Sequence, residues 1–140
     1  MKVGKRIYLA APIHNDEDAE KNANLILELR VKDYDVWSPQ EAGIATEVAR
    51  STGRPLDEVR KEFMKKDLAA MKTCDICVAY LGREREPSQG MLWEMGWMSA
   101  NNKLVILFNP CHNKFTLMAQ FTVDFEVDTV EELFRVLRDV

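Results

Sequence analysis

Short apolar runs alternate along this chain with longer segments in which apolar residues recur at helical spacing. The short runs predict strands at 6–11, 35–37, 75–81 and 103–108, and a weaker fifth strand within 121–127. The longer segments predict helices over 16–31, 55–73 and 89–101, and a last helix capped by Asp128 or Thr129. Strands that alternate with helices favour parallel pairing and right-handed crossovers. The pattern therefore predicts one α/β domain over residues 1–140, with helices on both faces of a doubly wound, five-stranded parallel sheet.

The predicted helices and the polar segment between them carry finer signals. The first helix has acidic residues in its first turn and carries Ala19, Ala23, Ile26, Leu27 and Arg30 at helical spacing. The 55–73 helix presents one inner face, formed by Leu56, Val59, Phe63, Leu68 and Met71. Residues 40–54 are polar and contain two glycines, which predicts a long loop or a loosely held helix. Thr129 and Glu132 have the spacing of a capping box.

One carboxylate stands inside the otherwise apolar start of the 89–101 helix. Glu94 has Met91, Leu92, Trp93 and Met95 as close neighbours. It is either a surface residue between buried neighbours or a reactive group at the mouth of a pocket. In flavodoxin-like and Rossmann-like sheets, ligands bind outside the carboxyl ends of the strands. The predicted strand, loop and helix around 75–101 place Glu94 at that edge.

A second carboxylate, Asp67, lies on the helix before the third strand. Helical spacing puts it on the same face as Phe63, Ala70 and Met71, so it is a candidate to point inward. Two carboxylates that face one pocket suit glycosidic chemistry, because one attacks the sugar carbon while the other assists the leaving group. The alternative is a solvated helix residue paired with a neighbouring cation, namely Lys65, Lys66 or Arg60.

Net charge and cysteine content limit the kinds of binding partner and the cellular compartment that we expect for this protein. A formal net charge of -4 argues against a nucleic-acid polymer, whereas a mononucleotide needs only a local anion site. No apolar run approaches the roughly 20 residues that span a bilayer, so we expect no membrane partner. The apolar stretch after the basic residues 1–6 is too short for a signal peptide. Three cysteines without framework spacing indicate reduced thiols and a cytoplasmic protein.

Other motifs have simpler interpretations. Cys74 and Cys77 begin a buried strand and lack a second ligand pair, so buried thiols are favoured over a zinc site. The chain has neither a Walker sequence nor G-x-G-x-x-G. We therefore expect neither a metal nor a cofactor. Trp93 and Trp97 share a helix face, which indicates core packing or a subunit contact, with base stacking as the alternative.

Several short segments together resemble the nucleoside 2-deoxyribosyltransferase family, which includes the 2′-deoxynucleoside 5′-phosphate N-hydrolases. The resemblance covers most of the chain, and its specificity comes from the order and spacing of its pieces. These are Ile7-Tyr8-Leu9-Ala10-Ala11-Pro12, Asp67-Leu68, Cys74-Asp75, Ser88-x-Gly90-x-x-x-Glu94-x-Gly96, Asn102-Lys103 and Thr116-x-Met118. The resemblance implies an enzyme that cleaves the N-glycosidic bond of a small-molecule nucleoside or nucleotide.

The resemblance also implies roles for individual residues. Glu94 is the nucleophile that attacks C1′ and forms a covalent glycosyl-enzyme, Tyr8 orients that carboxylate, and Asp67 assists departure of the base. Gly90 lets the backbone approach the sugar. Gln40 is a looser candidate for reading the base. Thr116 and Met118 are expected to reach a neighbouring subunit's site, which implies a homodimer or a larger homo-oligomer.

Departures from the family pattern bear on the substrate. The nucleoside transferases carry Asp six positions before the nucleophile, whereas this chain has Ser88, as the monophosphate hydrolases do. Ser88 and the Thr116 hydroxyl favour a 5′-monophosphate, since an aspartate would repel the phosphate. The loop after the first strand (Ala11, Pro12, Ile13 and His14) is more similar to the transferases, because the hydrolases have Gly-Ser and a following Arg. His14 also has a plain interpretation as an exposed loop residue.

Three functions thus remain from the sequence. The first is cleavage of the N-glycosidic bond of a 2′-deoxynucleoside or its 5′-monophosphate, and Ser88 and Thr116 slightly favour hydrolysis of the monophosphate. The second is base exchange between deoxynucleosides. The third is a module of another class, which binds a nucleotide in the same crevice without catalysis.

Overall fold

The computed structural model describes residues 5–140, so the first four residues of the predicted domain lie outside the described range. The strands are β1 (Arg6–Ala10), β2 (Asp35–Trp37), β3 (Ile76–Tyr80), β4 (Leu104–Phe108) and β5 (Phe125–Val127). The helices are α1 (Asp16–Val31), α2 (Ala45–Thr52), α3 (Leu56–Thr73), α4 (Gln89–Ala100), α5 (Leu117–Gln120) and α6 (Val130–Asp139). A 3₁₀ turn covers Pro39–Ala42. None of the helices in this range combines the length and apolar character needed to span a bilayer.

The five strands form a single all-parallel sheet in the order β2-β1-β3-β4-β5. This confirms the predicted α/β fold class. The order reverses direction between β1 and β3, because the chain first builds outward to β2 and then returns to the other side of β1. Such a reversal leaves a crevice at the carboxyl ends of the two strands, where open α/β sheets bind ligands.

The sheet is covered on both faces, which explains its near-continuous apolar strands. Alternate residues of β1 point to opposite sides, so Ile7 and Leu9 join one buried cluster while Tyr8 and Ala10 join the other. The first cluster takes its helical residues from α1 and α6. The second takes them from α3 and α4, including Met71, Met91, Met95 and Met98. Tyr8 is therefore directed towards the two helices that carry the candidate carboxylates.

The buried face of α1 differs from the predicted one. Its buried residues are Asp18, Asn22, Leu25, Ile26 and Leu29, whereas Leu27 is 63% exposed and Ala23 is also exposed. Two polar residues occupy this face because each has a partner in a neighbouring loop. Periodicity considers only the apolar residues, so it could not predict that hydrogen-bonded polar side chains occupy part of the buried face of α1.

The polar segment before α3 is helical rather than a loop. It contains the 3₁₀ turn and α2, which are separated by Gly43 at φ 101°, and α2 ends at Gly53 at φ 69°. Both glycines occupy backbone conformations that side chains disfavour, so they limit the helix on either side. Of the two predicted alternatives, the helix is therefore correct.

The capping of α6 follows the prediction in part. Thr129 accepts a hydrogen bond from the Glu132 N–H, as expected of the cap. The Glu132 carboxylate reaches back to the Asp128 N–H instead of to Thr129 itself. The two cysteines predicted to be buried thiols, Cys74 and Cys77, are both buried and free.

A buried aspartate ties together the loops at the carboxyl edge of the sheet. Asp18 accepts from the His14 N–H at 3.0 Å and pairs with Arg83 at 2.5 Å and Arg85 at 3.4 Å. Burial opposes ionisation of Asp18, but the hydrogen bonds from Arg83 and His14 hold its pKa below the ordinary value. The loop after β1 and the loop after β3 are thus fixed to the start of α1.

Candidate active site

A buried phenol and a carboxylate meet at the crevice between β1 and β3. Tyr8, in the middle of β1, is fully buried and donates its hydroxyl hydrogen bond to Oε2 of Glu94. Glu94 sits in the second turn of α4, whose first turn is capped by Ser88 through a hydrogen bond accepted from the Met91 N–H. The sheet therefore fixes the donor and the helix fixes the acceptor.

Both candidate carboxylates line one cavity of about 340 Å³. Asp67 and Met71 come from α3, and Gly90, Trp93 and Glu94 from α4. The remaining lining residues are Ala11 after β1, Pro39 after β2, and Met64 on α3. The cavity thus has apolar walls with two acids exposed to its interior, and its volume suits a small organic ligand.

Burial makes Glu94 a weaker acid than an ordinary glutamate. Removal from water, together with the negative charge of Asp67, raises the pKa of Glu94 to about 7, while the hydrogen bond from Tyr8 opposes the rise. Burial, followed by the negative charge of Glu94, raises the pKa of Tyr8 well above its usual range. The phenol therefore keeps its proton and acts only as a donor to the carboxylate.

Asp67 is half-buried at the cavity and is not paired with a lysine. Burial raises the pKa of its carboxyl, and the neighbouring Trp37 indole partly offsets the rise. In the described part of the chain, no ion pair joins Asp67 to Lys65, Lys66 or Arg60. The inward orientation that helical spacing suggested is thus the one observed.

The structure groups some of the other predicted site residues with the two acids. Ala11 and Gly90 line the cavity, and Ser88 lies at the start of α4, six residues before Glu94. Pro12 is buried and its carbonyl accepts a hydrogen bond from Asn22. Ile13 and His14 are exposed in the loop that follows.

Three predicted residues lie away from this cavity within the chain. Both ends of the Gln40 amide are held at α1, by the Asn22 side chain and the Ala19 carbonyl, and Pro39 lines the cavity in its place. Thr116 caps α5 and lines a separate groove of about 640 Å³. Met118 is 83% exposed.

Sequence reasoning missed several residues of the site. Met64 is an exposed apolar residue on α3. Its place in a charged stretch of the sequence was a signal that could have identified it as a cavity residue. Trp93 is half-exposed at the cavity. This position is compatible with the alternative interpretation of Trp93 as a side chain that stacks on a base. Met91 and Met98 of the same helix are buried in the core.

Comparisons with known proteins agree with this geometry. A family model described as nucleoside 2-deoxyribosyltransferase matches residues 7–133. The solved 2-deoxyribosyltransferase of Bacillus psychrosaccharolyticus is 26% identical, with a TM-score of 0.77 over 91% of this chain and 89% of that one. The CMP N-glycosidase BcmB of Clostridium botulinum is 22% identical, with a TM-score of 0.61 over 96% and 99% of the two chains, and shares the fold. Comparison with curated proteins gives no match.

The raised pKa of Glu94 predicts a stability change for Glu94→Gln. Its folded-state pKa of about 7 exceeds the ordinary 4.5, so the folded protein holds an extra proton between those values and loses stability as pH rises through them. The neutral glutamine avoids that loss. We expect the variant to be more stable than the unmodified protein at pH 8, by up to about 3 kcal/mol, and similar to it at pH 4.5.

Urea unfolding of both proteins at the two pH values measures this difference. Glu20→Gln, the same change at an exposed position on α1, is the matched control and should show no pH-dependent gain. A Glu94→Gln variant that is equally stabilised, or destabilised, at both pH values would contradict the assigned cause.

Proposed function

The chain belongs to the nucleoside 2-deoxyribosyltransferase family, and we propose that it cleaves the N-glycosidic bond of a 2′-deoxynucleoside or its 5′-monophosphate through a covalent glycosyl-enzyme. The observation that carries this proposal is the Tyr8–Glu94 hydrogen bond inside a cavity that also holds Asp67. A carboxylate that is buried, oriented by a donor and open to a small cavity is suited to nucleophilic attack on a sugar carbon.

In the first step, a Glu94 oxygen forms a bond with C1′ as the bond from C1′ to the base nitrogen breaks. The electron pair of the broken bond leaves with the base. A 2′-deoxy sugar has no electron-withdrawing hydroxyl beside C1′, so positive charge develops there readily, and the nearby carboxylate stabilises it. Because the Tyr8 hydroxyl occupies Oε2, the other oxygen is the one available to the sugar.

Asp67 completes the first step by giving its proton to the departing base. A nucleobase is a poor leaving group, and protonation by a positioned acid accelerates such steps by about 10²–10⁴-fold. The raised pKa of Asp67 favours the protonated form that this role requires. In the second step, water or a second base attacks C1′ and the bond from C1′ to Glu94 breaks, while the deprotonated Asp67 takes up the proton that the attacking molecule loses. The configuration at C1′ is therefore retained overall.

Ser88 supports a 5′-monophosphate as the substrate. Its Oγ accepts a hydrogen bond from the Met91 N–H at 3.1 Å, and its own proton has no acceptor among the described residues. The hydroxyl stands at the positive end of a 12-residue helix, where anions are favoured. These features suit a phosphate group, and the fold is shared with a CMP N-glycosidase.

Base exchange between deoxynucleosides is the second candidate, favoured by the loop after β1. Pro12 offers no backbone donor to a phosphate, and His14 is exposed and contributes only its backbone N–H to Asp18. The 26% identical neighbour is described as a 2-deoxyribosyltransferase. Transfer requires that a second base reaches the glycosyl-enzyme before water does.

Product analysis tests the proposed reaction and separates the candidates. Incubation with dCMP, dGMP or deoxyinosine should release the free base, and free adenine should redirect the sugar to a new nucleoside only if exchange occurs. Glu94→Ala should reduce either activity by at least about 10³-fold, because the nucleophile is removed. Glu86→Ala, in the exposed part of the preceding loop, is the control and should remain active.

Full turnover by Glu94→Ala would remove Glu94 as the nucleophile. Tight binding of a nucleotide without any product, in the unmodified protein, would instead favour the non-catalytic binding module.

Asp67→Asn should slow release of bases that need protonation. We expect about 10²–10⁴-fold slower turnover of dGMP or deoxyinosine, since asparagine cannot supply a proton. 7-Methyl-2′-deoxyguanosine provides the comparison, because its cationic base leaves as a neutral molecule without protonation. The variant should hydrolyse it almost as fast as the unmodified protein, and equal losses on both substrates would exclude Asp67 as the acid.

A homodimer or larger homo-oligomer is part of the proposal, because Thr116 and Met118 lie away from the cavity of their own chain. Leu117, Met118 and Phe121 around α5 are 74%, 83% and 89% exposed, which is a costly surface unless it is covered. Light scattering at micromolar concentration should show an oligomer, and Phe121→Ser should weaken it. Leu27→Ser, at an exposed leucine on α1, is the control. A fully active monomer would contradict this arrangement.

A further inference from the structure

We propose that Trp37 is a positioning residue for Asp67: its indole N–H holds one carboxyl oxygen and thereby directs the other, which carries the proton, at the leaving base. The inference rests on the proposed function and deepens it, because it identifies a residue that controls the acid. Trp37 lies at the carboxyl end of β2 and was not among the predicted site residues.

The sheet register places Trp37 beside the phenol that holds Glu94. Tyr8 and Trp37 are paired residues on the neighbouring parallel strands β1 and β2. Their side chains enter the same apolar cluster beneath α3 and α4. Adjacent strands lie about 4.8 Å apart, so the two side chains leave the same face of the sheet from neighbouring positions. Each ends in a polar hydrogen, and each of the two helices presents one carboxylate to the cavity.

The indole N–H of Trp37 is buried and lacks a partner that satisfies hydrogen-bond geometry among the described residues. Its neighbour is the Asp67 carboxyl, which it approaches closely enough to lower the pKa of that group. An unsatisfied buried N–H costs about 1–3 kcal/mol, so a small movement of α3 towards β2 is favoured. Hydrogen bonds of this kind are often long in a free enzyme and shorten when the substrate binds.

The chemistry of the indole gives this contact its direction. An indole nitrogen can only donate, so the carboxyl oxygen that it touches must be an acceptor. In the neutral acid the carbonyl oxygen is the better acceptor, so a donor on one oxygen favours the proton on the opposite oxygen. Asp67 lines the cavity, so the protonated oxygen faces the space in which the base departs. Glu94 on α4 and Tyr8 on β1 are the other titratable groups near this acid, and neither can replace the indole as its donor because the phenol already binds Glu94.

A substrate-free measurement tests the contact itself. The chain has three tryptophans, so single Trp→Phe variants assign their indole N–H signals in a ¹H–¹⁵N NMR spectrum. The Trp37 signal should move with pH as Asp67 ionises, and this movement should disappear in Asp67→Asn. A Trp37 signal that is independent of pH, or that titrates identically in Asp67→Asn, would overturn the proposal whatever the activity of the protein.

Kinetics then tests the effect on the acid. Trp37→Phe keeps an aromatic ring but removes the N–H, and should lower kcat about 10-fold for dGMP or deoxyinosine with little change in KM. It should leave 7-methyl-2′-deoxyguanosine almost unaffected and cause no further loss in an Asp67→Asn background. Trp97→Phe, in the same apolar cluster but away from the cavity lining, is the control for lost packing.

The outcomes distinguish a failure of the proposed function from a failure of the proposed role of Trp37. Absence of turnover in the unmodified protein contradicts the proposed function, while the NMR titration still decides whether Trp37 holds Asp67. Equal losses on both kinds of substrate, or an additive loss with Asp67→Asn, would show that Trp37 acts only through packing. If Trp37→Phe does not fold, the comparison of the unmodified protein with Asp67→Asn by NMR decides the matter.

Discussion

The site depends on one ionisable side chain that is kept out of water and in contact with a phenol. Glu94 lies between the half-exposed Trp93 and the fully buried Met95, and Tyr8 contacts it from the sheet at the cavity. Burial raises the pKa of the carboxyl, and the hydrogen bond donated by Tyr8 opposes that rise. The protein thus balances two opposing effects, and the balance places Glu94 near the point where both of its forms are populated.

That balance needs a rigid setting, which the topology provides. Tyr8 belongs to a strand with neighbours on both sides, so its backbone cannot shift without disturbing β2 and β3. The loops that border the cavity are bound to α1 through Asp18 and Asn22. These polar residues occupy part of the core-facing surface of α1 and are stabilised there by the partners that they hold. Structural support for the site is therefore placed in the same face of the helix that packs on the sheet.

The sequence predicted most of the fold and the two carboxylates that line the cavity, and the failures have a common cause. Alternating apolar runs located the strands because burial on both faces leaves an unambiguous pattern. The spacing of Asp67 indicated its inward orientation, and the resemblance indicated the pairing of Tyr8 with Glu94. The buried face of α1, the position of Gln40 and the part played by Trp37 escaped prediction, because each depends on which side chains meet across the fold. Periodicity describes one helix or strand at a time and carries no information about side-chain contacts between different elements.

A methionine of the cavity bears on how the proposed site would distinguish bases. Met64 forms part of the wall on α3 and is 56% exposed, so its flexible thioether side chain can adapt to rings of different outline. A wall of this kind excludes few ring systems by their shape. Discrimination then falls to the few groups of fixed geometry, so the acceptor pattern of a base edge should matter more to this protein than the size of its ring system.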